Sequence, residues 1–137
     1  MLRIAFCLPL MITAFLIASP AAAQHMNDPT GPCRDTGSTV ETVACLSLAY
    51  EKAVKELDAV QSRTLEHTDE ITRTRLRKAH RAWLIYREAA CTAEAAPYLG
   101  RTGETPARLA CLEAATRERA AFLLAGLGWR VGKSIAD

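Results

Sequence analysis

Apolar positions recur alternately three and four residues apart along most of this chain, the spacing that lines one face of an α-helix. The first stripe is Val43, Leu46, Tyr50, Ala53, Leu57, Val60 and Thr64, and it predicts a helix from Thr39 to Glu66. Its start carries a separate signal. Ser38-Thr39-Val40-Glu41 reads as a capping box, in which the serine hydroxyl accepts from the amide three residues on and the glutamate reaches back to the amide of Ser38. After a break at His67-Thr68-Asp69 the spacing resumes with Leu76, Ala79, Trp83, Tyr86, Ala90 and Ala93, predicting a second helix from Glu70 to Ala95, closed off before Pro97. A connection this short makes the two helices antiparallel neighbours. Thr105-Pro106 opens a third helix as a capping hydroxyl followed by proline at the first helical position, where its missing N–H costs nothing. Leu109, Leu112, Thr116, Arg119 and Leu123 mark its inner face, and Gly126 and Gly128 are expected to end it. No run of alternating β-branched residues, no internal repeat and no low-complexity tract interrupts the helical pattern. The fold class is therefore all-α, a three-helix antiparallel bundle.

The first 23 residues follow a different rule. One positive charge at Arg3 precedes an almost wholly apolar run from Ile4 to Ala18, and Ala21-Ala22-Ala23 supplies small residues for cleavage. This is the pattern of an export signal. The run is shorter than the roughly 20 residues a spanning helix needs, so no stable membrane insertion is expected once it is removed. The chain then divides into a signal peptide (1–23), an N-terminal arm (24–37), a helical domain (38–125) and a C-terminal tail (126–137), in which Trp129 is expected to cap the bundle. Removing 23 of the 137 residues leaves 114, enough for one domain and no more. It also removes Arg3 and Cys7, leaving 16 basic against 15 acidic residues. So balanced a charge argues against a nucleic-acid ligand. Oligomeric state is left open.

Four cysteines survive cleavage: Cys33, Cys45, Cys91 and Cys111. They allow three pairings, and sequence alone does not choose between them. Placement on the helices favours two bonds. Cys91 near the end of the second helix faces Cys111 near the start of the third if these form a hairpin, and Cys33 in the arm lies close to Cys45 in the second turn of the first helix. Each bond closes a loop worth on the order of 3 kcal/mol. Neither a Cys-x-x-Cys nor a cysteine–histidine cluster with zinc spacing occurs, so a metal or redox site is not expected. The bonds and the signal together indicate a periplasmic or extracellular protein.

The stretch Trp83-x-x-Tyr86-Arg87-Glu88-x-x-Cys91, followed by Cys111-x4-Thr116-x-x-Arg119-x3-Leu123, resembles the signature of the LprI-like lysozyme-inhibitor family of small exported helical proteins. Cys33 and Cys45 match that family's N-terminal cysteine pair, and Leu57-Asp58 stands where the family usually has Leu-Asn. Val54, Gln61 and Glu88 depart from it, replacing an acidic residue, an aromatic and an aspartate. The resemblance implies a non-enzymatic protein whose partner is a lysozyme or a related cell-wall hydrolase. The residues themselves agree with an absence of catalysis. His25, His67 and His80 have no acid or nucleophile at a recognisable spacing, and there is no phosphate-cradling loop, metal motif or other cofactor motif.

Three expectations attach to particular side chains. Trp83 and Tyr86 belong to the inner stripe of the second helix and are read as core. Arg119, a guanidinium on an apolar face, must be paired or reach water; Asp58 or Glu88 is its expected partner, and a ligand-binding arginine is the rival reading. The loop from Ala96 to Thr105, held at its base by Cys91 and Cys111, is the candidate partner-binding element. Its Arg101 would enter a carboxylate-lined cleft, with Tyr98 as an apolar contact. An alternative function uses the basic run Arg73, Arg75, Arg77, Lys78, His80, Arg81 and Arg87 to engage an anionic envelope component, with no inhibition.

Overall fold

The computed structural model describes residues 25–136, with side chains as far as Leu127. The expected export signal, and the side chain of Trp129, lie outside the described residues. Among the described residues there are three α-helices, α1 (Thr39–Glu66), α2 (Glu70–Ala95) and α3 (Glu104–Ala136), with short 3-10 turns at His25–Asn27 and Ala96–Tyr98. Among the described residues there is no strand, and no helix is long and apolar enough to cross a membrane.

The boundaries of α1 and α2 fall where their capping signals put them. Ser38 accepts from the amide of Glu41 at 3.3 Å, but the Glu41 carboxylate reaches the amide of Gly37 at 2.9 Å instead of that of Ser38. Asp69 caps α2 through the amide of Thr72 at 2.9 Å. The turn between them is closed by Arg73, whose Nε donates to Leu65 O at 3.0 Å and whose Nη2 donates to Thr68 O at 2.9 Å. An arginine on α2 thus bonds a carbonyl of the last turn of α1 and a carbonyl of the connection itself.

The third helix departs from expectation at both ends. It begins at Glu104, with the carbonyl of Gly103 taking the first intrahelical bond from Ala107 at 3.1 Å, which puts Pro106 at the third helical position. That amide is still one of the orphans of a helix start, so proline is tolerated there as well as at the first position. At the other end α3 runs through Gly126 and Gly128 to Ala136. A helical glycine costs only about 1 kcal/mol relative to alanine. Leu127, four residues beyond Leu123, is buried and extends the apolar row past Gly126.

Both α1 and α2 pack on α3. Leu46 lies by Ala110 and Ala114, while Leu57 and Val60 pack with Ala120 and Leu123, so α1 and α3 run parallel. Cys91 meets Cys111, and Trp83 packs against the Leu57–Leu123 cluster, so α2 runs antiparallel to both. The α1–α3 contact is the more extensive, and alanines recur along the buried side of α3 at Ala107, Ala110, Ala114 and Ala120, small side chains that let helix axes approach. The backbones of α1 and α2 hardly meet, despite being joined by a short turn. Their separation is filled by Tyr50, Trp83 and Arg87.

Both expected disulfides are present, Cys33–Cys45 and Cys91–Cys111, with Cα separations of 5.8 Å and 5.4 Å. Cys33 has φ 72°, a left-handed conformation that an L-residue adopts at a cost. Its disulfide and the Thr36 hydroxyl, which donates to Cys33 O at 3.1 Å, hold it there. The arm is clamped further along. The backbone amide and Nδ1 of His25 donate to the two carboxylate oxygens of Glu94 at 2.6 Å and 2.7 Å.

Candidate functional site

Two regions gather the residues singled out from the sequence. One is the inner face of α2 against α3, and the other is the loop from Ala96 to Gly103.

On α2 the inner face is turned by one position from the expected stripe. Tyr86, read as core, is 69% exposed, and Arg87 is only 7% exposed. Ala79 and Ala93 are exposed as well. The reason lies in Cys91, which is fully buried in its disulfide. Stepping back from Cys91 by helical turns gives Arg87, Trp83, His80 and Leu76, so the covalent bond chooses the row that contains an arginine.

That arginine finds partners for both terminal nitrogens, while its covered Nε has none. Its Nη1 donates to the Thr116 hydroxyl at 3.0 Å, and Thr116 in turn donates to Leu112 O at 2.6 Å. Its Nη2 meets Glu88 at 3.1 Å, and the other oxygen of Glu88 holds Arg108 of α3 at 2.6 Å. The guanidinium carbon lies 5.5 Å from the Tyr50 ring and 5.2 Å from the Trp83 ring, so the cation meets π-electrons of two rings. Five of the six motif residues, Trp83, Arg87, Glu88, Thr116 and Arg119, are therefore brought into one cluster beside Cys91–Cys111. Tyr86 stands outside its core, on the rim.

Arg119 continues the same stack. Its guanidinium carbon lies 5.7 Å from Trp83 and 5.4 Å from Phe122, giving the order Tyr50, Arg87, Trp83, Arg119, Phe122. The expected ion pair with Asp58 or Glu88 is not made. Glu88 is committed to Arg87 and Arg108, Asp58 is exposed, and among the described residues Arg119 has no carboxylate partner. Burial, with no nearby anion to oppose it, pulls the Arg119 pKa below the ordinary arginine value. The Nε of Arg119, Nδ1 of His80 and Oε1 of Gln61 are all covered and without partners, around a cavity of about 10 Å³. His80 is pushed below the usual histidine range, first by burial and then by the Arg119 charge.

The loop is built to stand out from the bundle. Gly100 has φ +69°, the left-handed turn that glycine accepts without strain, and its amide donates to the Glu104 carboxylate at 2.7 Å. The Tyr98 ring lies so close over Gly103 that a β-carbon there would come within 2.8 Å of it. Tyr98, expected as an outward contact, is half-buried and serves the loop's own packing. Arg101 is exposed, and beside it Leu99 is 75% exposed. Leu99 was missed from the sequence because no periodicity marks a tip residue. Arg108 was missed too, since its link to Glu88 crosses between helices and has no spacing of its own.

Of the basic run on α2, Arg73 is tied to the turn, Arg87 is buried and His80 is half-buried. Arg75, Arg77, Lys78 and Arg81 remain exposed.

The family model for the lysozyme inhibitor LprI matches residues 32–123, more than half of the chain. Searches of curated proteins and of solved structures give no match. The chain belongs to the LprI lysozyme inhibitor family.

Proposed function

We propose that the chain is an exported protein that binds and inhibits a peptidoglycan-cleaving enzyme of the lysozyme type, presenting the Leu99–Arg101 tip as its wedge. The observation that carries this reading is the braced loop: an exposed apolar residue and an exposed cation, two positions apart, on a turn fixed by Gly100, Glu104 and the Tyr98–Gly103 contact. Rigidity matters because a loop already in its bound shape avoids an ordering cost on association. The target cleft of such enzymes holds two carboxyl groups flanking the scissile bond. A guanidinium placed between them would pair with the ionised carboxylate, and Leu99 would exclude water from the contact. Family membership supports the class of partner, and the two disulfides support an oxidising compartment. The protein acts in this reading as a binder and not as a catalyst.

The envelope-binding alternative is weakened by the internal duties of Arg73, His80 and Arg87, which leave it four exposed cations. Salt separates the two, since a wedge with an apolar contact keeps its hold at moderate ionic strength and a purely charged face does not.

The test is a titration of the oxidised mature chain against lysozymes of several structural classes in a cell-wall turbidity assay. Inhibition that saturates near one to one is expected for at least one class, weakened at least tenfold by Arg101→Ala and by Leu99→Ser. Undiminished inhibition by both variants would discard the loop, and inactivity of the parent toward every class would discard the inhibitor reading.

A further inference from the structure

Three arginines stand at or beside the contact of α2 with α3, and two of them, Arg87 and Arg108, pair with the one carboxylate of Glu88. Arg119 is the exception: half-buried beside the rings of Trp83 and Phe122, it makes no ion pair among the described residues, and its covered Nε has no acceptor. Cation–π contact offsets part of the cost of such a charge but leaves its N–H donors unspent.

Arg119 lines an open groove of about 410 Å³ between α2 and α3, within the range of about 300–1,000 Å³ typical of small-molecule sites. Trp83 and the exposed Tyr86 form its aromatic wall, and Glu118 and Glu94 supply carboxylates. Glu94 is occupied by His25, whereas Glu118 is exposed and makes no ion pair among the described residues. A ligand suited to this set needs an anion for Arg119, hydroxyl donors for Glu118, and a flat C–H face for the aromatic wall. A fatty or aryl acid lacks the hydroxyls, and a neutral sugar leaves the cation unmatched.

We infer that the groove between α2 and α3 binds a carboxylated pyranose sugar, its carboxylate on Arg119, its hydroxyls toward Glu118 and its ring against Tyr86. This site is separate from the Leu99–Arg101 tip and does not depend on the inhibitor reading. The same chemistry is offered by the lactyl-bearing sugar of cell-wall glycan and by uronic acids of envelope polysaccharides.

The experiment is an NMR titration of the oxidised mature chain, following the Trp83 indole N–H and the Arg119 Nε–H, with N-acetylmuramic acid, glucuronic acid and N-acetylglucosamine as probes. Saturable shifts are expected with one or both acids, and which acid binds more tightly identifies the source. N-acetylglucosamine, which lacks the carboxylate, should bind at least tenfold more weakly, as should the acid to Arg119→Gln, the loss expected for one charged hydrogen-bonded contact. Tyr86→Ala, at an exposed position that does not threaten folding, should also weaken binding, while Arg101→Ala should leave it unchanged. Equal binding of the acidic and neutral sugars, parent-like binding by both Arg119→Gln and Tyr86→Ala, or no saturable shift with either acid would overturn the assignment.

Discussion

The two faces of α3 are held by different means. Toward α1 the contact is dry and close, made by Leu57, Val60, Ala120 and Leu123 with further alanines along the helix. Toward α2 it is made by a disulfide, a buried arginine hydrogen-bonded to Thr116, and alternating rings and cations. The first contact is non-directional and works through area removed from water. The second is directional, and it fixes which row of α2 faces inward even though that row contains a charge. A bundle with so many alanines buries little area per residue, so α2 is attached by covalent and polar devices in place of a larger apolar seam.

Breaking one device on each face should have comparable and large effects. Leu57→Ala in the dry seam is expected to cost about 3 kcal/mol, within the range for buried leucine truncations. Cys91→Ser with Cys111→Ser should cost about 3 kcal/mol from loop entropy. The spectroscopic consequences differ. Loss of Leu57 should lower the midpoint of a single cooperative denaturant transition, whereas loss of the disulfide should release α2 first, seen as loss of Trp83 burial before loss of helical circular dichroism. Coincident transitions in the disulfide variant would mean that the polar stack alone keeps α2 docked.

Helix α1, on the dry seam, was the easiest to read. The Val43–Thr64 stripe gives the buried face of α1, where Leu46, Ala53, Leu57, Val60 and Thr64 are indeed covered, because a seam made by apolar burial writes itself as apolar periodicity. On α2 the same reasoning put Tyr86 inside and left Arg87 among surface cations. Periodicity weighs hydrophobicity alone, and here a covalent bond outweighed it. Given Cys91 as an anchor, counting back by helical turns would have found Arg87. The end of α3 was misjudged because a glycine is a stop signal only where the apolar row also stops, and Leu127 continues it. Of the candidate loop, position and bracing by the disulfide were legible, but which side chains face outward depends on Gly100 and on Tyr98 folding over Gly103.

The buried arginine allows a finer distinction between packing and charge. Arg87→Met keeps an unbranched stem between Tyr50 and Trp83 while removing the bonds to Thr116 and Glu88, and Thr116 retains its bond to Leu112 O. A cost of about 1–2 kcal/mol is expected, the value of hydrogen bonds to a charged group. Arg87→Ala should cost about 1 kcal/mol more, because the stem's packing goes as well. Equal losses for the two variants would show that the cation and not the filled volume holds α2 to its row. A Met variant as stable as the parent would make the charge dispensable for folding.

The smallest effect is also the one most specific to the polar face. His80 lies beside Trp83, with ring centroids 5.9 Å apart, and its pKa is lowered first by burial, then by Arg119 and, less, by Arg87, with Asp58 opposing. A histidine that resists protonation in the folded state stabilises the fold while it is neutral in both states. As pH falls through its unfolded value, near 6.5, the unfolded chain takes up the proton first and the advantage shrinks, until it is gone below the lower folded value. Stability should therefore decline from pH 7 toward pH 5, and His80→Gln should flatten that decline. The other histidines are common to parent and variant, so the difference between their two melting curves against pH isolates this residue. Parallel curves would place His80 in contact with water in solution and would remove the charge of Arg119 from any account of its titration.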